Sequence, residues 1–422
     1  MKVVILGIDG YLGWPLALHL INKGHEVHGV DNFERKNRVW ALGCDSLTKI
    51  EPWKSRNLIL REMQSNFEFA EISLGSSQPG FIRAFLDSIK PDAIVHLAEQ
   101  PSAPWSMMDV HNASITQYDN VIGTLQLLWA MHQVCPEAHL VKLGTMGEYG
   151  TPNCDIPEGE IPEVCSRWTT KDIEKDSTYR NIDCPMSGLP FPRQAGSWYH
   201  LTKVHDTHNI MFACRNWELS STDIMQGVVF GVKTDDITSD QLITRFDYDE
   251  VFGTVINRFC AQALLGHPLT VYGLGGQTRG FLPIQDSIIC MTLALENPPQ
   301  VGEYRTFNQF ERTYSVSDLA GLVKVAASEA LDFNVKIKHY ENPRKEMEAH
   351  YYNPTREKLV NLGYKPTTDI LPEIEKLLED LYPYRSRIKE NLIVPETRWD
   401  SEHRRSDEIM QGILGTISNE IV

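Results

Sequence analysis

Tyr199 and Lys203 lie in the run Gly196-Ser197-Trp198-Tyr199-His200-Leu201-Thr202-Lys203, four residues apart. That spacing puts both side chains on one face of a helix. A phenol beside an ammonium ionises more readily, because positive charge favours phenolate. Tyr199 is therefore a candidate acid/base for moving a proton on or off a hydroxyl. The same pair suits a helix with one buried ring and one solvated amine, so its meaning depends on the elements that position it.

Those elements begin at the start of the chain. Lys2–Leu6 is a short apolar run, as in a strand buried on both faces. It leads into Gly7-Ile8-Asp9-Gly10-Tyr11-Leu12-Gly13, then a helix with Pro15 in its first turn, a stop at Gly24, a second strand Glu26–Val30, and Asp31. Glycines let backbone approach a pyrophosphate, and the helix N-terminus supplies its dipole and free N–H groups. Asp31, eighteen residues after Gly13, suits the adenosine ribose hydroxyls and repels a 2'-phosphate, favouring NAD over NADP. Arg35 and Arg38 pull the other way. Strand, glycine triplet, helix, strand and acid in this order predict a dinucleotide site.

Glu71-Ile72 ends a further predicted strand and flanks the adenine; Asp92–Glu99 is the fourth, its carboxyl end pointing at the cofactor crevice. His96 reads as a packed strand residue. A helix over 114–132 carries Asn120–Thr124, with Gly123 marking close packing. Ala138–Gly144 is the fifth strand and sets Thr145 at its carboxyl end, facing the crevice where Tyr199 would lie. The expected fold is α/β, a Rossmann-type doubly wound parallel sheet with a smaller α/β substrate-binding lobe. Residues 1–230 form the NAD-binding part, 231–384 mainly the lobe, interleaved with it, and 385–422 a charged extension.

Thr145, Tyr199 and Lys203 together resemble the catalytic triad of the extended short-chain dehydrogenase/reductase superfamily. The resemblance is closer still to the UDP-sulfoquinovose synthases and runs over residues 1–370. It is carried by Gly10–Trp14, Val141–Gly150 (VKLGTMGEYG), Tyr199–Asp206 (YHLTKVHD), Gly266–Tyr272 (GHPLTVY) and Gly275–Gly280 (GGQTRG). It implies conversion of UDP-glucose and sulfite to UDP-sulfoquinovose: carbon-4 oxidation by bound NAD, loss of water across carbons 5 and 6, sulfite addition at carbon 6, and re-reduction at carbon 4. Tyr199 would take the proton of the 4-hydroxyl, Thr145 would bond the same oxygen, and Lys203 would hold the nicotinamide ribose and lower the tyrosine pKa. Cofactor contacts are expected from Gly7, Gly10, Tyr11, Leu12, Gly13, Asp31, Asn32, Arg35, Glu71, Ile72, Leu97, Ala98, Glu99, Asn120, Leu143, Tyr199, Lys203, Gln226 and Val229.

Related 4,6-dehydratases carry Thr-Asp-Glu where this chain has Thr145-Met146-Gly147. The acid pair is gone, and Met146 with Gly147 would leave room for another nucleophile. Elimination still needs a base and an acid, for which His200 and Glu148 are the candidates. Packing behind the site is the alternative role for both. Substrate contacts are expected from Gln100, Thr145, Met146, Gly147, Tyr199, Gln226, Asn257, Arg258, Thr270, Tyr272, Gln277, Arg279, Arg344 and Glu346. Arg279 and Arg344 would meet the diphosphate, where a planar guanidinium suits paired oxygens. A second departure is Pro101, where relatives have arginine, which bears on how the anion is gripped. The insertion over 154–195 is long enough for a lid or for a surface decoration.

The formal charge of -16 argues against a general nucleic-acid or anionic-membrane binder. Eight cysteines without a Cys-x-x-Cys pair give neither a disulfide framework nor a metal site, so a reduced, cytoplasmic setting is expected. No leader is expected before the first strand, and no apolar run is long enough to span a bilayer. Relatives pair through helices beginning near Ser114 and Trp198, implying a homodimer or higher homo-oligomer. Two other readings stay open: a UDP-sugar 4-epimerase or 4,6-dehydratase, and a non-catalytic binding protein that keeps the NAD fold.

Overall fold

The computed structural model describes residues 1–75, 78, 80–161, 189–344, 346–347, 349–366, 369–394 and 399. Most of the 154–195 insertion and of the C-terminal extension lies outside the described residues. The framework is a seven-stranded sheet of β1 (Lys2–Leu6), β2 (Glu26–Asp31), β3 (Phe69–Glu71), β4 (Ala93–His96), β5 (His139–Thr145), β6 (Ser220–Gln226) and β7 (Tyr304–Gln309). The order is β7-β6-β5-β4-β1-β2-β3, and every pairing is parallel. A parallel sheet is covered on both faces, which is why β1, β2 and β4 are buried at nearly every position. Strand order reverses between β1 and β4, and their carboxyl ends part there to open a crevice.

Helix α1 (Gly13–Asn22) packs its Leu16, Leu18 and Leu20 side chains into the apolar layer on one face of the sheet. On the other face lie α2 (Gly123–Val134) and α3 (Trp198–Trp217), with Leu127, Met131, Ile210 and Ala213 in the second layer. The segment before α2 differs from the simple helix expected over 114–132. A helix Val110–Gln117, capped by the Asp109 carboxylate on the Asn112 N–H at 2.8 Å, runs through a π-helical turn Tyr118–Ile122 into α2. The extra residue of that turn directs Asn120 inward.

The second lobe packs helices Val255–Leu265, Val316–Leu331 and Ile370–Leu381 around its own core of Phe259, Leu264, Val323, Ile374 and Leu378. It carries a parallel pair, Leu269–Tyr272 with Ile337–Tyr340, and a three-stranded sheet of Val228–Phe230, Thr278–Pro283 and Arg312–Ser315. The first of these helices starts only at Val255, because the Asp249 carboxylate accepts from the N–H groups of Val251 and Phe252 and holds them in a turn. Residues 244–250, an irregular stretch in the sequence, are buried in this core. The chain crosses between lobes, since β7 returns from the second half of the sequence to the edge of the main sheet. Among the described residues no helix is long and apolar enough to cross a membrane.

Candidate active site

The crevice between the lobes has a volume of about 600 Å³. One wall is the glycine loop. A Cβ at Gly13 would run into the Gly7 carbonyl oxygen, so the helix N-terminus comes this close to the loop only with glycine there. Asp31 accepts from the Asp9 N–H (2.8 Å) and the Phe33 N–H (2.8 Å) through separate carboxylate oxygens. Burial nevertheless pushes its pKa up to about 6, the Phe33 hydrogen bond offsetting part of the rise. Arg35 lines the same wall but is engaged by Asp247 at 2.6 Å; Asp247 also holds Arg245 at 3.1 Å. Against burial, the two guanidiniums keep Asp247 below the ordinary carboxylate range. Arg38 is likewise paired, with Asp119. This cradle, with its loop N–H groups, an acid for ribose hydroxyls and neutralised arginines, fits NAD.

The opposite wall carries the proton chemistry. Thr145 ends β5 and accepts from the Gly147 N–H at 3.1 Å, opening the short turn Met146–Tyr149. Ser197 caps α3, accepting from the His200 N–H at 3.2 Å, and so sets Tyr199 and Lys203 on its first turn and a half. The Tyr199 N–H donates to Ser106 Oγ at 3.1 Å. Lys203 Nζ lies 5.7 Å from the Tyr199 ring centre and donates to the Leu143 carbonyl at 2.8 Å and to the Glu99 carboxylate. The expected lowering of the Tyr199 pKa is not what this environment gives. Burial, and then the charge of Glu99, raise it well above the usual tyrosine value, with a hydrogen bond to Thr145 opposing. The lysine alone does not set the local field, because a carboxylate sits on it.

His200 faces the crevice beside this pair, its ring 5.1 Å from that of Tyr199. Its Nδ1 lies 3.0 Å from Ser197 Oγ. Burial, then Arg279 and Arg344, depress its pKa to about 3, so the imidazole is neutral at neutral pH and able to accept a proton. The place a Cβ would occupy at Gly147 is 2.5 Å from His200 Cδ2 and nearer still to Nε2. The space left by Gly147 is thus filled by the histidine, where the sequence had suggested room for a nucleophile. Met146 is buried, in a small apolar cluster with Tyr149, Met225 and Phe310.

Of the residues expected in the site, Gly7, Gly10, Tyr11, Leu12, Gly13, Asn32, Ile72, Leu97, Ala98, Leu143, Gln226 and Val229 line the cofactor half with those above. Arg258, Thr270, Tyr272, Gln277, Arg279, Arg344 and Glu346 line the far half. Glu71, Gln100, Asn120, Glu148 and Asn257 are not brought to the crevice wall. Asn120 clamps Gln100 through both its backbone groups (2.7 and 3.1 Å) and donates to Thr202 Oγ1 at 2.9 Å, tying the loop after β4 to α3. Glu148 points behind β5, 3.5 Å from Arg193 and accepting from Thr207 at 3.3 Å; burial lifts its pKa to about 7, against Arg193.

In the far half, Gln277 is buried with both ends of its amide lacking a partner among the described residues, and Arg258 Nε is likewise unpaired. Arg258 and Arg344 both stack on Tyr272, at 5.0 and 5.9 Å. Buried polar groups left open at a cavity wall are built for a polar ligand. Arg279 is held from behind by Glu346 (3.2 Å) and by His350 Nε2, which accepts from its Nη1 at 2.7 Å. His350, Glu99 as a partner of Lys203, and Trp399, which stacks on Arg344 at 5.0 Å, were missed as such by the sequence reading. No local pattern marks them, since each acts across a long stretch of chain.

A parallel sheet of this order, a glycine cradle and a Thr/Tyr/Lys group at the crevice define a dinucleotide-dependent enzyme of the extended short-chain dehydrogenase/reductase class. Residues 3–167 match the NAD dependent epimerase/dehydratase family. The UDP-glucuronic acid 4-epimerase of Bacillus cereus, solved with UDP-glucuronic acid and NAD, superposes with a TM-score of 0.63 over 92% of this chain and 100% of that one, at 20% identity. The UDP-sulfoquinovose synthase of Sulfolobus acidocaldarius is 44% identical over 402 residues, 94% of this chain and 98% of that protein. The chloroplastic UDP-sulfoquinovose synthase of Spinacia oleracea is 46% identical over 400 residues, 94% of this chain and 79% of that protein. The chain belongs to the UDP-sulfoquinovose synthase family, whose members are NAD-dependent enzymes that modify sugar nucleotides.

Proposed function

We propose that this enzyme makes UDP-sulfoquinovose from UDP-glucose and sulfite, releasing water. The observation that carries the reading is the Thr145-Met146-Gly147 turn with His200 packed on it: a neutral imidazole fills the space beside Gly147, the second of the two positions where the related dehydratases carry an acid. NAD, held by the glycine loop, Asp31 and Lys203, supplies the oxidant for carbon 4 and the reductant that restores it. Tyr199 takes the proton of the 4-hydroxyl and later returns it, with Thr145 bonded to the same oxygen. The carbon-4 ketone acidifies the proton on carbon 5, which His200 removes and passes to the 6-hydroxyl as it departs as water. Sulfite, arriving as bisulfite, then adds to carbon 6 of the conjugated alkene; its sulfur lone pair forms the new bond, and its proton goes to carbon 5 through His200. Arg279, Arg344 and Arg258 take the diphosphate, and Gln277, Thr270 and Tyr272 the nucleoside end.

A second copy of the chain is read as covering the exposed Tyr118, Trp129, Trp198 and Phe212 side chains of the α2 and α3 region, giving a homodimer. Buried free cysteines such as Cys214 and Cys260, their thiols pushed up by burial, are consistent with a reducing cytoplasm.

The test is incubation of the purified protein with UDP-glucose and sulfite, followed by mass spectrometry. A sulfonate-bearing sugar nucleotide that disappears in Tyr199→Phe supports the proposal. UDP-galactose or a 4-keto-6-deoxy sugar in its place would sink the sulfur chemistry while leaving fold and cofactor intact.

A further inference from the structure

Behind Tyr199 lies a cluster of four buried charged groups, of which the reaction as described uses only Lys203. Lys142, in the middle of β5, has no exposure and holds its Nζ 3.5 Å from Asp206 Oδ2 and 3.9 Å from Glu99 Oε1. The other Glu99 oxygen takes the ammonium of Lys203, whose second acceptor is the Leu143 carbonyl. Lys203 and Asp206 are three residues apart on one face of α3. Glu99 and Lys203 reach the crevice, while Lys142 and Asp206 stay behind it.

Two lysines thus bracket one carboxylate, and the charge of that carboxylate acts on the phenol of Tyr199. Against burial, Lys142 and Lys203 hold Glu99 well below the usual carboxylate range, so it is ionised at any working pH. Burial lifts Asp206 well above its ordinary value, and the Glu99 charge adds to the rise. The other titratable groups facing the cluster are His96 from β4, driven neutral by burial at about 4, Asp223 from β6, Glu148 beyond β5, and His200 on α3. Stability does not account for the arrangement, because a buried ion cluster gains little over apolar side chains of the same volume. What it does provide is a fixed negative charge held on Lys203 at the crevice wall.

We propose that Glu99 is a positioning residue: it pins the Lys203 ammonium between itself and the Leu143 carbonyl, and with Lys142 behind it sets the field in which Tyr199 gains and loses its proton. Removing the Glu99 charge leaves Lys203 without its carboxylate and Lys142 with Asp206 alone, so the phenol ionises more readily. Removing the Lys142 charge leaves Glu99 less compensated, with the opposite effect. The proposal rests on Tyr199 being the acid/base of the reaction, but its test does not need turnover.

Tyrosinate formation is followed by ultraviolet difference titration in the full-length protein, with and without Tyr199→Phe, so that the difference isolates Tyr199. In Glu99→Gln its titration moves to lower pH by roughly one to two units, the effect of a unit charge a few ångströms away in a screened interior. In Lys142→Gln it moves to higher pH, and Glu99→Asp, which keeps the charge, moves it less than Glu99→Gln. The pH profile of sulfonate formation shifts in the same directions. An unmoved titration in the folded variants, or a shift of Glu99→Gln to higher pH, overturns the proposal. Shifted titrations without any sulfonate product would uphold it and overturn the proposed reaction instead.

Discussion

Replacing Gly147 by alanine tests whether the turn after β5 exists to seat His200. The new Cβ would lie 2.5 Å from His200 Cδ2 and closer to Nε2, where carbon atoms need about 3.4 Å or more. The Gly147 backbone is not in the left-handed region, so the methyl group meets the imidazole and not a forbidden conformation. Either the turn shifts or the ring swings away and gives up its contact with Ser197 Oγ at 3.0 Å. Overpacking of this kind costs about 1–3 kcal/mol, and the lost hydrogen bond about 1 kcal/mol of it. Gly147→Ala should therefore lower the melting temperature by a few degrees, given the size of the chain. It should also cut sulfonate formation by about a hundredfold, the contribution of a displaced general base. The decisive sample is Gly147→Ala combined with His200→Ala. Removing the ring should return most of the lost stability, a coupling of more than 1 kcal/mol in a double-mutant cycle, without returning activity. Additive losses, or a fully active Gly147→Ala, would refute the packing of His200 on this turn.

Three further outcomes follow from the crevice walls. Asp31 has its folded pKa raised to about 6 from 3.8, so the apoprotein has this group's full stability below about pH 4 and loses it as pH rises through 6. Asp31→Asn should then stabilise the apoprotein at neutral pH, by up to about 3 kcal/mol in urea unfolding, while weakening NAD binding. Asp247→Asn frees Arg35 and Arg245, and the preference for NAD over NADP in equilibrium binding should fall about tenfold, a gain of one charge-assisted contact to a 2'-phosphate. His350→Ala removes the acceptor that holds Arg279 and should raise the KM for the sugar nucleotide several-fold with little change in kcat, whereas an unchanged KM would detach His350 from the substrate.

Local chemistry made the cofactor half legible in advance. A buried apolar strand, a glycine loop that only glycine can fold and an acid at the end of the next strand are each dictated by neighbours in sequence, and the chain order carries over into the sheet. Thr145, Tyr199 and Lys203 were also accessible, since one sits at a strand end and two share a helix face. What the sequence hid were pairings across long separations. The Glu99–Lys203 pair joins residues 104 apart, and after burial the Glu99 charge is what works against the expected effect on Tyr199. Glu148 read either as an acid or base of the elimination or as packing behind the site, and the short turn at Met146–Tyr149 sends it behind β5 towards Arg193. His350 lies 71 residues from the arginine it holds, and nothing in its own surroundings marks it.

The π-helical turn at Tyr118–Ile122 limits how this protein can vary in length. A helix elsewhere on the surface can lose a residue at its end with little consequence, since only solvated groups change register. Here one deletion would restore regular winding and rotate everything on one side of the turn by about 100° relative to the other. Asn120 would leave Gln100 and Thr202 together, releasing the loop after β4 from the catalytic helix. The exposed Tyr118 at the start of the turn and Trp129 beyond it would be turned relative to one another. A single codon lost in this stretch should therefore undo the crevice and the outer face of the helix in one step, where a substitution at any one of these positions touches only one of them.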